Sequence, residues 1–204
     1  DISKKVHSSY LLKAQQGQFT GCVAPFGYRK DPEDKNHLLV DEETAPIVRQ
    51  IFLWALEGHG PNFIRRRLEE QKVPCPTWWN RERGFRNVRT KWEKKDPVNG
   101  RYMWDFSVIK DILMNPVYTG AIASQKKDYR FKIGTIGEKK PEEWIVVENQ
   151  HEPLVDRKTF DIVQRKLKSR QRPRQTGEIS LFAGLIKCGE CGKSLTIRYT
   201  NDKH

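Results

Sequence analysis

The chain has 204 residues, 36% of them hydrophobic, against roughly 45–50% in an average globular domain, and 38 Lys and Arg against 26 Asp and Glu give it a formal charge of +12. The length allows one or two domains whose core is confined to clustered apolar stretches, and the charge favours a polyanionic partner, nucleic acid before an anionic membrane. There is no signal-like apolar N-terminus and no apolar run of about 18 or more residues, so neither export nor a membrane span is predicted and the expected location is the cytoplasm.

The first element is an amphipathic helix over residues 3–16, with Val6, Tyr10 and Leu11 on one side and Gly17 as its stop. It opens directly at Asp1, and His204 closely follows a metal-type half-motif, so the sequence reads as an excised piece of a longer protein. Residues 17–28, GQFTGCVAPFGY, are extended and turn-rich; their small residues allow close approach to a DNA backbone or to the body of the domain. Tyr28–Lys30 and His37–Val40 flank the turn DPEDKN as a small hairpin. Asp41 is placed as the N-cap of a helix running to about Glu57, with Ile47, Ile51, Phe52 and Ala55 as its stripe. Gly58 and Gly60 break it, and Pro61 opens a second helix that buries Phe63, Ile64 and Leu68. Two helices across so short a turn form the first half of a helix-turn-helix arrangement.

From Asp41 to Val73 the charges nearly cancel, so the basic excess lies elsewhere. Between Arg81 and Arg101, eight basic residues oppose three acidic ones, and Trp78, Trp79, Phe85 and Trp92 are interleaved or adjacent. This loop either tracks phosphates beside the following helix or is a solvated loop whose tryptophans fill the core. The sharpest local signal is WDFSVIKDILMNPVYTG at 104–120: a cap at Asp105 or Ser107, a stripe of Val108, Ile109, Ile112 and Leu113, and a stop at Asn115-Pro116. Its expected partners are the two helices between Asp41 and Gln71.

Tyr118–Ile122 and Trp144–Val147 read as paired strands around a polar basic excursion at 125–140. Asp156 caps a helix from Arg157 to about Ser169 with Phe160, Val163 and Leu167 on its core face and basic residues elsewhere. RQRPRQTGE at 170–178 has no apolar anchor and reads as a linker able to follow a phosphate backbone.

Cys188 and Cys191 have the spacing with which a tight knuckle grips zinc, but zinc takes four ligands and this is a half-site. Cys22 and Cys75 are isolated, and the four together make a poor disulfide framework. No GxSxG, P-loop or HExxH occurs, the five histidines are scattered, and Ser8 and Ser9 lack an evident base, so no catalytic residue is expected.

In order along nearly the whole chain, GQFTGCVAPFGY, the Val40–Glu43 start, IFLWALEGHGPNFIRRRLEEQKVPCPT, WDFSVIKDILMNPVYTG, the Phe160 helix and LFAGLIKCGECGKSL resemble the large serine recombinases, the integrases and transposases of mobile elements. The resemblance implies an α+β, mainly helical DNA-binding domain with a helix-turn-helix-like core and small hairpins. Residues 1–20 would be the end of a long helix and linker from a preceding catalytic domain, 21–169 the recombinase DNA-binding domain, 170–180 a basic linker and 181–204 the start of a zinc ribbon. It also implies a serine site-specific recombinase as the parent enzyme, with this stretch a non-catalytic portion that is inactive alone. Residues 17–28 would follow the minor groove, the 107–114 helix would enter a major groove, and Cys188 and Cys191 would be the first zinc pair.

The expected partner is double-stranded DNA at attachment sites, with the full protein dimeric on DNA and tetrameric in synapsis, and no membrane. Phosphate contacts are expected from Arg86, Arg89, Lys91, Lys126, Arg170, Arg172 and Arg174, and base-edge contacts from Lys110 and Arg101. The competing readings are a DNA-binding transcriptional regulator without recombinase activity and a structural or protein-interaction module.

Overall fold

The computed structural model describes residues 2–85, 96, 98–130, 134–169 and 186–192. They fall into two units, Asp1–Gln164 and Arg165–His204. The first unit starts with α1, Ile2–Gln15. Gly17 ends it in the left-handed region at φ +69°, where its own N–H and that of Gln18 return to the carbonyls of Ala14 and Lys13 at 3.1 and 3.0 Å. That left-handed backbone is why glycine serves here; the Gln150 side chain that a Cβ would meet is flexible. The stripe expected on this helix is not what packs: Ala14 is buried, whereas Val6 and Tyr10 are about half exposed.

β1, Tyr28–Lys30, and β2, Leu38–Val40, form the expected antiparallel hairpin, with Tyr28 opposite Val40. The next helix begins later than its acidic start suggests. α2 covers Ala45–Leu56, and Asp41 to Thr44 form a turn before it. Asp41 is not a solvent-facing cap; it is buried, accepts a hydrogen bond from the Thr44 hydroxyl and pairs with Arg83 at 2.7 Å. α3 is Pro61–Glu70 and buries Pro61, Ile64 and Leu68. Phe63, expected inside, stands outside, stacked between His59 and Arg67.

A short helix that the sequence did not announce, α4 at Pro76–Glu82, carries Trp78 and Trp79. The charged segment after it falls largely outside the described residues. α5, Phe106–Met114, is capped by Asp105, whose carboxylate accepts the Ser107 N–H at 3.4 Å. It buries Ile109, Ile112 and Leu113 and packs on both α2 and α3. Pro116 does not lead into a strand: Pro116–Thr119 is a 3₁₀ turn closed by Gly120 at φ +85°, and the strand begins at Ile122. The proline fixes a helical φ and Asn115 accepts the Val117 N–H, so the chain turns once more before extending.

β3, Ile122–Ser124, then pairs antiparallel with β6, Ile145–Val147. Within the intervening excursion, β4, Lys127–Arg130, pairs antiparallel with β5, Gly134–Glu138. Asp156 caps α6, Arg157–Ser169, by accepting the Thr159 N–H at 2.9 Å, and Phe160 and Val163 face the core. The described fold is thus mixed α and β, helices with three two-stranded antiparallel ribbons. None of its described helices is long and apolar enough to cross a membrane.

Tyr28, Phe52, Tyr118, His151 and Phe160 form an aromatic cluster where β1, α2, the 3₁₀ turn and α6 meet. Their polar ends are bonded to backbone: Tyr118 to the Phe26 carbonyl and Tyr28 to that of Glu152, both at 2.9 Å. His151 donates Nε2–H to the Val117 carbonyl at 2.7 Å. Its buried Nδ1 has no partner among the described residues, so a proton there would have no acceptor. Burial, aided by His37 nearby and opposed by the Val117 hydrogen bond, therefore depresses the His151 pKa below 6.5.

The unfolded chain takes that proton more readily than the folded one, so the stabilisation is complete above about pH 6.5 and is lost as pH falls from there towards the lower folded value. Melting temperatures measured between about pH 7 and pH 5 should decline less steeply for His151→Gln, whose amide can still donate to Val117 but does not titrate. Parallel slopes for the two proteins would exclude His151 as the titrating group.

Candidate nucleic-acid interface

The inner face of α5 is fixed by burial, and its outer face is fixed in turn by helical period. Phe106, Ser107, Lys110, Asp111 and Met114 are all exposed, one stripe at i, i+1, i+4, i+5 and i+8. Lys110 therefore sits between two apolar side chains, Phe106 and Met114, which are 43% and 49% exposed. These two were legible in the sequence as the positions out of phase with Ile109 and Ile112, but a reading centred on charge passes over them.

Arg101 lies in the 3₁₀ turn Gly100–Tyr102 before α5. It is exposed, with its guanidinium 4.7 Å from the Tyr102 ring centroid, and its carbonyl accepts the Cys75 N–H at 2.8 Å. Lys126 marks the other end of the helix. Its amine donates to Asn115 Oδ1 at 3.2 Å and lies 5.1 Å from the Trp144 ring centroid. Burial lowers its pKa, against the pull of the Asp111 charge. Lys126 is thus a half-buried cation held by the protein, whereas Lys110 is exposed to solvent. Arg101 and Lys126 bracket α5, one beyond each end. Arg86, Arg89, Lys91, Arg170, Arg172 and Arg174 lie outside the described residues.

Other arginines that looked available in sequence are committed to the protein. Arg83 bridges Asp41 at 2.7 Å and Glu43 at 2.9 Å and lies over Trp79. Burial works against the Asp41 charge, but hydrogen bonds from Arg83 and Thr44 outweigh it and hold the carboxyl below its usual pKa. Arg65 pairs with Glu69 at 2.8 Å, and Arg67 approaches Glu70 at 3.6 Å.

Elsewhere in the first unit, a cleft of about 450 Å³ between α1 and the segments that follow it is lined by Lys5, Tyr10, Lys13 and Asn36, among others. In the second unit, Cys188 and Cys191 sit in a turn closed by the Gly192 N–H on the Cys188 carbonyl at 2.9 Å. The backbone N–H groups of Cys191 and Glu190, with the Cys191 side chain, draw the Cys188 thiol pKa down, favouring the thiolate that a metal requires. No group of three or more His, Cys, Asp or Glu converges on one point among the described residues.

The chain is similar to two proteins of Bacillus subtilis strain 168. It is 34% identical to the uncharacterized protein YefB over 99 residues, 48% of this chain and 33% of that protein. It is 26% identical to a putative DNA recombinase over 208 aligned residues, 96% of this chain and 37% of that protein. Two solved structures share its fold at 19% identity over 92% of the chain: a complex of an LSR with DNA, TM-score 0.51, and a structure bearing on the sequence requirements of the Listeria innocua prophage attP site, TM-score 0.52. The chain spans about a third of the length of the two relatives and 47% and 62% of the two structures.

The family model matching residues 42–170 is described as Recombinase. This corrects the expectation that the chain is only a DNA-binding stretch with the start of a zinc ribbon: the recombinase signature lies in the very segment expected to be non-catalytic. The chain is accordingly neither set apart as a non-catalytic portion nor taken to be inactive alone. The match covers more than half of the sequence, and the chain belongs to the recombinase family.

Proposed function

We propose that this chain, as part of a serine-recombinase-family protein, binds double-stranded DNA at recombination attachment sites. The observation that carries this is the outer face of α5. A short capped helix, backed by α2 and α3 in a helix-turn-helix-like core, offers Lys110 between Phe106 and Met114. A lysine can address guanine O6 and N7, and apolar side chains can meet a thymine methyl. Arg101 beyond one end and Lys126 beyond the other supply positive charge for the flanking phosphates. The DNA-bound fold relative and the attP-related one support the same partner.

Lys5 and Lys13, lining the cleft beside α1, suit the backbone of the same duplex. In this reading the whole protein acts as a dimer on DNA and a tetramer in synapsis. Cys188 and Cys191 would hold a structural zinc together with two further ligands, the metal fixing the local fold rather than taking part in chemistry.

Footprinting on the ends of candidate elements identifies the site, and fluorescence anisotropy at fixed salt then measures it. Lys110→Ala should weaken binding to the footprinted duplex by roughly 5-fold or more, in line with the loss of a base contact, and change a scrambled duplex much less. Equal affinity of both proteins for both duplexes would overturn the α5 assignment.

A further inference from the structure

Of the three consecutive arginines on α3, Arg65 is bonded to Glu69 and Arg67 lies near Glu70 and over the Phe63 ring, 5.6 Å from its centroid. Arg66 has no partner among the described residues, and neither does Asn62 one turn before it; both are exposed. Residues 62, 63, 66, 67 and 70 share the face opposite Pro61, Ile64 and Leu68, which are buried. Along one edge of that face, His59 stacks on Phe63 with centroids 3.9 Å apart and planes 13° from parallel, and Arg67 continues the ladder. The stack gives one edge a fixed shape and leaves the other edge to Asn62 and Arg66. Glu57 lies 3.6 Å from the His59 ring, and Glu70 is paired with Arg67 at the same distance.

We infer that α3 is a second base-reading helix of this protein, inserting Asn62 and Arg66 into a major groove of duplex DNA. The inference rests on the duplex-DNA reading above but assigns residues outside α5 and its flanks. Asparagine and arginine can each make bidentate contacts to purines, asparagine to adenine N6 and N7 and arginine to guanine O6 and N7. Four residues of helix advance about 6 Å, close to two base steps of about 3.4 Å each, so the pair addresses purines roughly two positions apart. α3 follows α2 across a turn of only Glu57 to Gly60, the arrangement in which a second helix presents its first turns to the groove. Arg66, an exposed cation with no acidic partner among the described residues, favours a polyanionic duplex over an apolar or basic protein surface as the occupant.

The test is selection from a pool of duplexes carrying a randomised block, performed with the full 204-residue chain and with Asn62→Ala, Arg66→Ala, Arg66→Lys and Lys110→Ala. Asn62→Ala should erase an adenine preference and Arg66→Ala a guanine preference about two positions away, each weakening the selected duplex by roughly 10-fold with about 2-fold or less change on a scrambled one. Arg66→Lys should keep non-specific affinity and its salt slope while relaxing the guanine position, because it retains the charge but loses the planar fork. These side chains are exposed, and equal melting temperatures confirm that the variants fold. A selected motif left intact by the α3 variants but altered by Lys110→Ala would overturn this inference alone, as would equal losses on selected and scrambled duplexes. If no motif emerges with the unsubstituted chain, both readings fall, and an affinity insensitive to salt would point to a protein partner instead.

Discussion

Replacing Trp104 by alanine should cost about 3–5 kcal/mol of folding stability, the range for truncating a large buried aromatic. The side chain is 1% exposed, meets Phe26 edge-on at 5.6 Å, and donates Nε1–H to the Val73 carbonyl at 2.9 Å. Its backbone N–H also reaches Glu69 Oε1 at 3.2 Å. Trp104 therefore ties the capped start of α5 to the end of α3, and the outer face of α5 is only as well placed as this joint. Trp104→Phe keeps most of the packing and leaves the Val73 carbonyl unpaired, at about 1–3 kcal/mol. Urea unfolding at fixed pH reads both. A loss below about 1 kcal/mol for the alanine variant would mean that the joint contributes little to stability.

Arg83→Ala should destabilise the fold by about 1–3 kcal/mol, less than a fully buried pair would lose because Arg83 retains partial solvent contact. Its removal leaves Asp41, whose side chain is only 6% exposed, without the cation 2.7 Å away. The pH dependence separates this electrostatic loss from lost packing against Trp79. The folded Asp41 carboxyl lies below 3.8, so the unfolded chain binds its proton first as pH falls. The pair's contribution is fully present above the unfolded value and disappears as pH drops through the folded one. The stability gap between the unsubstituted protein and Arg83→Ala should accordingly be wide at about pH 7 and narrow towards about pH 3. A gap that stays constant over that range would assign the effect to packing alone.

Local chemistry makes several elements legible in the sequence. The Tyr28–Val40 hairpin, α3 from Pro61, α5 with its Asp105 cap, and α6 behind Asp156 all carry their start signals within a turn of themselves. In each case the signal is a proline, a cap or an alternation, which acts over a few residues and can be read over the same span. The Asp41 start failed because its carboxylate has a better partner 42 positions away in Arg83, a contact that no local pattern encodes. The pairing of β4 with β5 was hidden by their composition, since a ribbon made mostly of polar residues has no apolar alternation to announce it.

The candidate site divides in the same way. Lys110, Arg101, Cys188 and Cys191 could be named from type and spacing, whereas the state of each arginine could not. Charge counts treat Arg65, Arg66, Arg67 and Arg83 alike, yet three have acidic partners and only Arg66 is unclaimed among the described residues.

The sequence by itself determined the helix boundaries set by caps and prolines, the positive balance of the chain, the CxxC knuckle and the resemblance to recombinases, because composition and short-range spacing carry all four. Only the tertiary structure decided which cations are free for a ligand, that Phe63 faces outward, and that α5 closes against α2 and α3. Those outcomes depend on which side chains approach one another across distant parts of the chain, and burial and ion pairing are properties of that approach rather than of any single stretch.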